Sequence, residues 1–318
     1  MFSAANYSNY SVIFVVIAAV TVAFLATLVG PDAAFSKEKV IAFAQDTLAN
    51  DYRKAQVFEV RDAVLQHPDL KFVYTDANSQ TSLLIRQIEK FIAANVDVLI
   101  VGTNDAETVV PVITKAHQRG IPVIILDRGV NTSAYTTFIH SDNVKIGEIA
   151  AQYIAEQLKG QGTVLLFEGL QKADVTQLRS KGFLNVISKY TKIKVIKRTG
   201  NYLRKDAILE MEKLIDEKVH LDAIFSESDS MLSGVRSVLY RYNLDPKKII
   251  MVGCDYTSEA REALRQGTQT ASILFPLGSQ QAVDAVIKIL KGEKVPYHIL
   301  IPVRLVTQED IETVAPVF

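Results

Sequence analysis

The 318-residue sequence is poor in several features that mark particular classes of protein. It has one cysteine, Cys254, which excludes an internal disulfide and any metal site built from several thiolates. Cys254 lies in the apolar run 249–254, so it is expected to be a packed strand thiol. Basic and acidic residues balance at 35 each, and no Lys/Arg-rich run occurs. This composition predicts no nucleic-acid partner.

Common catalytic signatures are missing as well. The sequence contains no G-x-x-x-x-G-K-[ST] loop, G-x-G-x-x-G turn, G-x-S-x-G elbow or H-E-x-x-H pair. Asp46, Asp127 and Asp255 could supply the carboxylate pair of a glycoside hydrolase, yet carboxylates serve a sugar binder equally well as hydroxyl acceptors. We therefore expect a protein that is not an enzyme and uses no cofactor or metal.

The N-terminus carries an uncharged apolar run. Residues 12–29 read VIFVVIAAVTVAFLATLV, a length between the core of an export signal and a minimal membrane span. No basic residue precedes the run, Lys37 and Lys39 follow it, and Asp32 spoils the cleavage site that would end at Ala34. No cysteine lies nearby for a lipid anchor. Residues 1–36 are predicted to be either a signal peptide or a retained membrane anchor.

Beyond residue 36, short β-rich runs alternate with amphipathic stretches of helical length. The predicted strands are Lys39–Gln45, Leu70–Asp76, Val96–Val101, Ile121–Leu126, Tyr135–Ile139, Thr163–Phe167, Ile193–Lys197, Ala223–Phe225, Ile249–Gly253 and Thr270–Leu274. The predicted helices include Thr81–Ala94, Ala106–Arg119, Lys145–Leu158, Val175–Lys189 and Lys205–Lys218. Continuous Val/Ile runs between helices indicate parallel sheets covered on both faces, and the length favours two lobes. The predicted fold class is α/β, doubly wound twice over.

Polar residues follow many of these strands, and ligands of open α/β sheets bind outside the carboxyl ends of the strands. Asp105, Asp142 and Asp229 each precede a helical pattern and are predicted helix caps. Asp127 and Arg128 differ, because their strand does not lead into an obvious helix. Their carboxylate and guanidinium together match the hydroxyls of a polyol.

Six motifs then occur in a familiar order. They are IPVIILDR (121–128), HSDN (140–143), LRSKGF (178–183), FSESDSMLSGV (225–235), MVGCD (251–255) and LKGEKV (290–295). On these motifs the chain resembles, over residues 39–306, the periplasmic sugar-binding proteins of the ribose-binding type. That resemblance implies two doubly wound lobes, a three-stranded hinge and a ligand in the cleft between the lobes. It places lobe one at 37–140 plus 276–303, and lobe two at 141–275 plus 304–318.

The resemblance also implies a set of ligand-binding residues. They are Asp46, Asn50, Tyr52, Asp127, Arg128, Arg179, Tyr202, Ser228, Asp255 and Phe275, with Arg53 in the same loop as Asn50 and Tyr52. Tyr202 would lie against the sugar ring. The chain departs from the family at Gly102, Ser228, Cys254 and Phe275, and three of these changes remove amide groups. The expected ligand is a pentose, a hexose, a polyol or another small polar molecule, with no preference for ribose.

Two functions agree with this reading. The first is an exported, monomeric periplasmic protein that closes around a sugar or polyol and delivers it to a membrane ABC permease. The alternative is a ligand-binding component tethered to the inner membrane by residues 12–29, which signals to a chemoreceptor or sensor kinase. A repressor-type regulator is not expected, because the apolar run occupies the place of the DNA-binding domain.

Overall fold

The computed structural model describes residues 38–318. The predicted signal or anchor, residues 1–36, with its apolar run at 12–29, lies outside the described residues. None of the helices between residues 38 and 318 has both the length and the apolar character needed to cross a membrane.

Strands and helices alternate along the described chain. The strands are β1 (Lys39–Gln45), β2 (Leu70–Asp76), β3 (Val98–Gly102), β4 (Val123–Leu126), β5 (Thr137–Ser141), β6 (Gln161–Glu168), β7 (Lys192–Thr199), β8 (Ala223–Ser226), β9 (Ile250–Asp255), β10 (Ala271–Leu274), β11 (His298–Ile301) and β12 (Arg304–Thr307). The helices are α1 (Asp51–Val64), α2 (Thr81–Ala93), α3 (Val110–Gln118), α4 (Asn143–Gln157), α5 (Asp174–Ile187), α6 (Arg204–Asp216), α7 (Asp229–Arg241), α8 (Ser258–Gln266) and α9 (Ser279–Leu290). A short 3₁₀ helix spans Pro246–Lys248.

The strands form two six-stranded sheets, one in each lobe. The first sheet has the order β11-β5-β4-β3-β1-β2, and the second has the order β12-β10-β9-β8-β6-β7. Neighbouring strands run parallel except β12, which pairs antiparallel with β10. Only Pro302 and Val303 separate β11 in the first sheet from β12 in the second. The predicted fold class is confirmed.

Both faces of each sheet are buried, which explains the continuous Val/Ile runs. In β3, Val98 and Ile100 pack into one apolar cluster, while Leu99 and Val101 pack into the cluster on the opposite face. The second sheet repeats this division, with alternate residues of β6 in two separate clusters. Cys254 is fully buried in β9, as expected of a packed strand thiol.

The chain passes between the sheets three times. The crossings follow β5, β10 and β11, and all three lie at one edge of each sheet. Strands within residues 39–141 and 298–301 belong to the first sheet, and strands within 161–274 and 304–307 belong to the second. The exact lobe boundaries given above stay predictions.

Of two residues predicted to cap helices, Asp142 does so and Asp105 does not. The Asp142 side chain accepts a hydrogen bond from the Lys145 N–H at 2.9 Å and caps α4, which confirms that prediction. Asp105 accepts from the Thr108 N–H at 2.9 Å, but α3 begins only at Val110. The predicted helix start at Ala106 is therefore too early, because Asp105 caps a separate turn ahead of the helix.

Helices α4 and α5 approach closely through two glycines. A Cβ at Gly147 would overlap the Arg179 carbonyl oxygen, and a Cβ at Gly182 would overlap the Val144 carbonyl oxygen. Backbone therefore lies against backbone, and this contact helps to hold the helix that carries Arg179 into the cleft.

Substituting Gly147→Ala should lower the free energy of unfolding by about 1–3 kcal/mol, because the added methyl group forces the two helices apart. Chemical denaturation measures this difference. The matched control is Lys181→Ala, an exposed position on the same pair of helices, which should leave stability near the wild-type value. Equal stability of all three proteins would contradict the close approach.

Candidate functional site

A narrow pocket lies between the two lobes and encloses about 270 Å³ of space, part of it open to solvent. We call it the inner pocket. Its lining residues are Asn50, Tyr52, Arg53, Asp127, Arg128, Val175, Arg179, Tyr202, Ser228, Asp255 and Phe275. The structure thus brings together every predicted site residue except Asp46, which lies behind Arg128. Arg53 and Val175 were not in the predicted set.

Three of the lining residues stand at turns with left-handed backbone. Asp127 has φ 73°, Tyr202 has φ 61° and Asp255 has φ 110°, values that residues other than glycine seldom adopt. Asp127 and Asp255 lie where β4 and β9 end, so these turns aim their carboxylates into the cleft rather than along the strand. Strained backbone of this kind persists only where surrounding contacts hold it, and it is concentrated at functional sites.

Asp229 holds the turn at the end of β9. Its carboxylate accepts hydrogen bonds from the Tyr256 N–H at 2.7 Å, from the Ser272 hydroxyl at 2.6 Å and from the Gln269 amide at 2.7 Å. The prediction that Asp229 caps a helix is wrong. Ser228 is the cap of α7, accepting from the Ser230 N–H at 3.2 Å. Burial raises the pKa of Asp229 to about 6.

Two buried ion pairs cross the floor of the inner pocket. Arg53 pairs with Asp127, and Arg128 Nη1 lies 3.0 Å from Asp46 Oδ2. The side chains of all four residues are at most 6% exposed. Burying unpaired charge is costly, so each arginine is matched by a carboxylate. Asp46 therefore takes part in the site by orienting Arg128 from behind.

Several polar atoms of these ion pairs have no hydrogen-bond partner among the described residues. Asp46 Oδ1, Asp127 Oδ1 and Arg128 Nε are buried and have no hydrogen-bond partner among residues 38–318. Unsatisfied buried polar atoms cost free energy, and a native structure keeps few of them. Two acceptors and one donor are therefore available to a molecule with several hydroxyl groups.

Arginines, rather than open space, lie over the aromatic rings. The Arg179 guanidinium lies 4.5 Å from the centre of the Phe275 ring, and Arg128 lies 5.4 Å from that of Tyr202. Tyr52 stacks on Phe275 with ring centres 5.1 Å apart. Tyr202 itself packs against Gly169, where any Cβ would overlap its ring. The predicted placement of Tyr202 against a sugar ring stays untested, and its ring is also part of the second lobe's core.

Glu227 supports Tyr202 and Arg179 from behind. Its carboxylate accepts from the Gly169 N–H at 2.9 Å, the Ser180 hydroxyl at 2.9 Å and the Tyr202 hydroxyl at 3.3 Å. Its carbonyl oxygen accepts from Arg179 Nη1 at 2.7 Å. Burial raises the pKa of Glu227 to about 7, and hydrogen bonds with Gly169 and the charge of Arg179 limit the rise.

Glu227 is not among the site residues predicted from the sequence, and Arg53 is predicted only to share the loop of Asn50 and Tyr52. Arg53 follows Tyr52 in the first turn of α1, directly after the loop at the end of β1. Its position next to two predicted site residues is a sequence signal for a place in the pocket. Glu227 gave a weaker signal, an acidic residue directly after the apolar strand β8. Its role depends on contacts with α5 and the loop at residue 202, which no local pattern shows.

No metal site accompanies these residues in the described part of the chain. Between residues 38 and 318, no group of three or more His, Cys, Asp or Glu side chains is arranged to hold a metal ion. The expectation of no metal and no cofactor stays a prediction.

Comparison with known proteins identifies the family. The periplasmic binding protein domain family matches residues 41–294, most of the chain. The chain belongs to the periplasmic binding protein family. Within it, the ribose import binding protein RbsB of Bacillus subtilis is 28% identical, over 76% of this chain and 78% of that protein. The expected resemblance to the ribose-binding type is confirmed.

Solved structures agree with this periplasmic binding protein in fold. The arabinose transporter's periplasmic binding component from Shewanella sp. ANA-3 has a TM-score of 0.81 and 25% identity, covering 86% of this chain and 93% of that one. The fructose-binding periplasmic domain of a hybrid two-component system has a TM-score of 0.80 and 25% identity, covering 86% and 92%.

In this periplasmic binding protein, Glu227→Gln should change how stability depends on pH. The raised pKa means that the folded state holds the Glu227 proton more tightly than the unfolded state, so stability falls as pH rises from 4.5 to about 7. The amide keeps the shape and removes that titration. We expect a higher Tm than the wild type at about pH 8 and a smaller fall in Tm between about pH 5 and pH 8.

Thermal unfolding monitored by circular dichroism across this pH range provides the test. Asp229 and Asp255 also have raised pKa values through burial, so part of the pH dependence persists in the variant. Glu59→Gln, at an exposed position on α1, should keep the wild-type profile. A Glu227→Gln profile that overlays the wild-type curve would show that the buried carboxyl does not titrate there.

Proposed function

We propose that this protein binds a small polyhydroxylic molecule, a sugar or a polyol, in the inner pocket. The observation that carries the proposal is that two buried ion pairs leave Asp127 Oδ1 and Arg128 Nε, both in residues that line the inner pocket, without a hydrogen-bond partner among residues 38–318. Carboxylates and arginines form charge-assisted hydrogen bonds with neutral hydroxyls. Relatives named for ribose and arabinose support the same class of ligand.

Binding works by closure of the lobes. In the structure, Asn50 Nδ2 donates to the Tyr202 carbonyl oxygen at 2.8 Å, the Ser230 hydroxyl donates to Asp51 Oδ2 at 2.7 Å, and the Gly129 N–H donates to Asp174 Oδ2 at 2.8 Å. Each bond joins the first lobe to the second. A ligand that contacts Asp127 and Arg128 on one side and Arg179 and Asp255 on the other favours this closed state.

We further propose that the protein is exported to the periplasm, acts as a monomer without catalytic activity, binds no nucleic acid and delivers its ligand to a membrane ABC permease. The lobes are proposed to divide at residues 140, 275 and 303. Family membership and the transporter-linked relatives support the periplasmic location and the transport role in this proposal.

Sensing is a second candidate, and one observation favours it. The similar fructose-binding periplasmic domain belongs to a hybrid two-component system. In that case residues 12–29 would tether the protein to the inner membrane, and a sensor kinase or chemoreceptor would read the closure. Mass determination of the mature protein distinguishes a cleaved signal peptide from a retained anchor. Loss of residues 1–36 favours the transport role, and their retention favours sensing.

Arg128→Lys tests the proposed ligand site. Lysine keeps the positive charge beside Asp46 but loses the planar fork and the unpartnered Nε, so ligand affinity should fall at least about tenfold. A thermal-shift screen of monosaccharides and polyols on residues 37–318 first identifies the ligand, and titration calorimetry then measures its Kd.

The matched control is Arg61→Lys, an exposed arginine paired with Asp62 outside the cleft. It should leave the Kd within about twofold of wild type, because exposed ion pairs contribute little. Wild-type affinity in Arg128→Lys, with the fold intact, would place the ligand elsewhere.

A further inference from the structure

A second, larger pocket lies in the same cleft. We call it the outer pocket; its lining includes Asp46, Thr47, Asn104, Lys172, Asn201 and Asp206. Its space is about 930 Å³, part of it open to solvent, against about 270 Å³ for the inner pocket. Both lobes line it, so it exists as a pocket only when the cleft is closed.

The outer pocket continues the inner pocket along the strand ends. Asn50, Arg128 and Tyr202 line both. The outer lining follows β1, β2 and β3 in the first lobe, and β6 and β7 in the second. Since β2 and β7 are the edge strands opposite the crossings, the outer pocket lies on the side of the cleft away from the hinge.

The chemistry of the outer lining matches a neutral polar group. Seven of the fourteen lining residues carry an amide or a hydroxyl group. The four charged residues are two acids and two bases: Asp46 pairs with Arg128, Asp206 accepts a hydrogen bond from Asn201 Nδ2 at 2.9 Å, and Lys172 is exposed. Asp46 lines this pocket and not the inner one, and its Oδ1 is among the buried atoms that have no partner in residues 38–318. Amide, hydroxyl and carboxylate groups are hydrogen-bond partners for sugar hydroxyls.

We propose that the outer pocket binds the second sugar unit of a glycoside whose terminal unit occupies the inner pocket. The proposal rests on the proposed function and narrows its ligand class from a sugar to a short oligosaccharide. The shared residues Asn50, Arg128 and Tyr202 form the boundary between the two pockets. The Asn50–Tyr202 hydrogen bond crosses this boundary, so the linkage between the two units passes there when that bond opens. The second unit gains contacts from both lobes, so it strengthens closure as well as binding.

The experiment compares matched sugars by titration calorimetry. Each probe pair is a monosaccharide and its disaccharide: D-xylose and xylobiose, L-arabinose and arabinobiose, D-glucose and cellobiose. For the pair whose monosaccharide binds, the disaccharide should bind at least about tenfold more tightly, a gain of about 1.4 kcal/mol. A methyl glycoside of the same monosaccharide should gain much less, because it fills little of the outer pocket.

Ala49→Trp separates the two pockets. Ala49 is exposed, lines the outer pocket and does not line the inner one, so a bulky side chain there obstructs only the outer pocket. We expect this variant to lose the disaccharide gain while its monosaccharide affinity stays within about twofold of wild type. Leu209→Trp, on the exposed face of α6, is the matched control and should preserve both affinities.

Each result decides something different. Monosaccharide binding with weaker or absent disaccharide binding overturns the second site and leaves the proposed function standing. A disaccharide gain that Ala49→Trp does not reduce places the second unit elsewhere and also overturns the inference. If no monosaccharide, polyol or disaccharide binds at all, the proposed function itself fails.

Discussion

Buried charge between the lobes is the constraint on which the cleft depends. Arg53, Asp127, Arg128 and Asp46 lie where water is almost excluded, and an unpaired charge there would cost several kcal/mol. Pairing removes most of that cost and also fixes each side chain in one orientation. The pairs leave a defined set of donors and acceptors facing the space between the lobes. The same constraint that permits the charges to be buried therefore organises the recognition surface.

A supporting layer of acids lies behind this surface in the second lobe. Asp229 ties the backbone of Tyr256 to strand β10 through Ser272, and this fixes the left-handed turn at Asp255. Glu227 does the same for the Tyr202 hydroxyl and for the loop at Gly169. Neither acid lines the inner pocket, yet the positions of Asp255 and Tyr202 depend on them. Substitutions at these acids are expected to affect stability and binding together.

Most of the fold could be predicted from the sequence, because buried parallel strands appear as continuous runs of apolar residues. All ten predicted strands are present, although several end at different residues. Strands β11 and β12 were not predicted, because both lie at sheet edges, are short and are only partly buried. Asp127 and Arg128 could be selected since no helix follows β4. The role of Asp229 could not be predicted from the sequence, because its hydrogen-bond partners lie 27 or more residues away along the chain.

The position of the three crossings has a mechanical consequence. They lie beside β5 and β11 in one sheet and beside β10 and β12 in the other, so the hinge runs along one margin of both lobes. Five strand intervals separate that margin from β2 and β7, a lever arm of about 24 Å at roughly 4.8 Å per interval. A small rotation at the hinge is therefore amplified at the far margin. A rotation that opens the cleft about these crossings would therefore widen it most over the outer pocket, so a solute would enter and leave on that side.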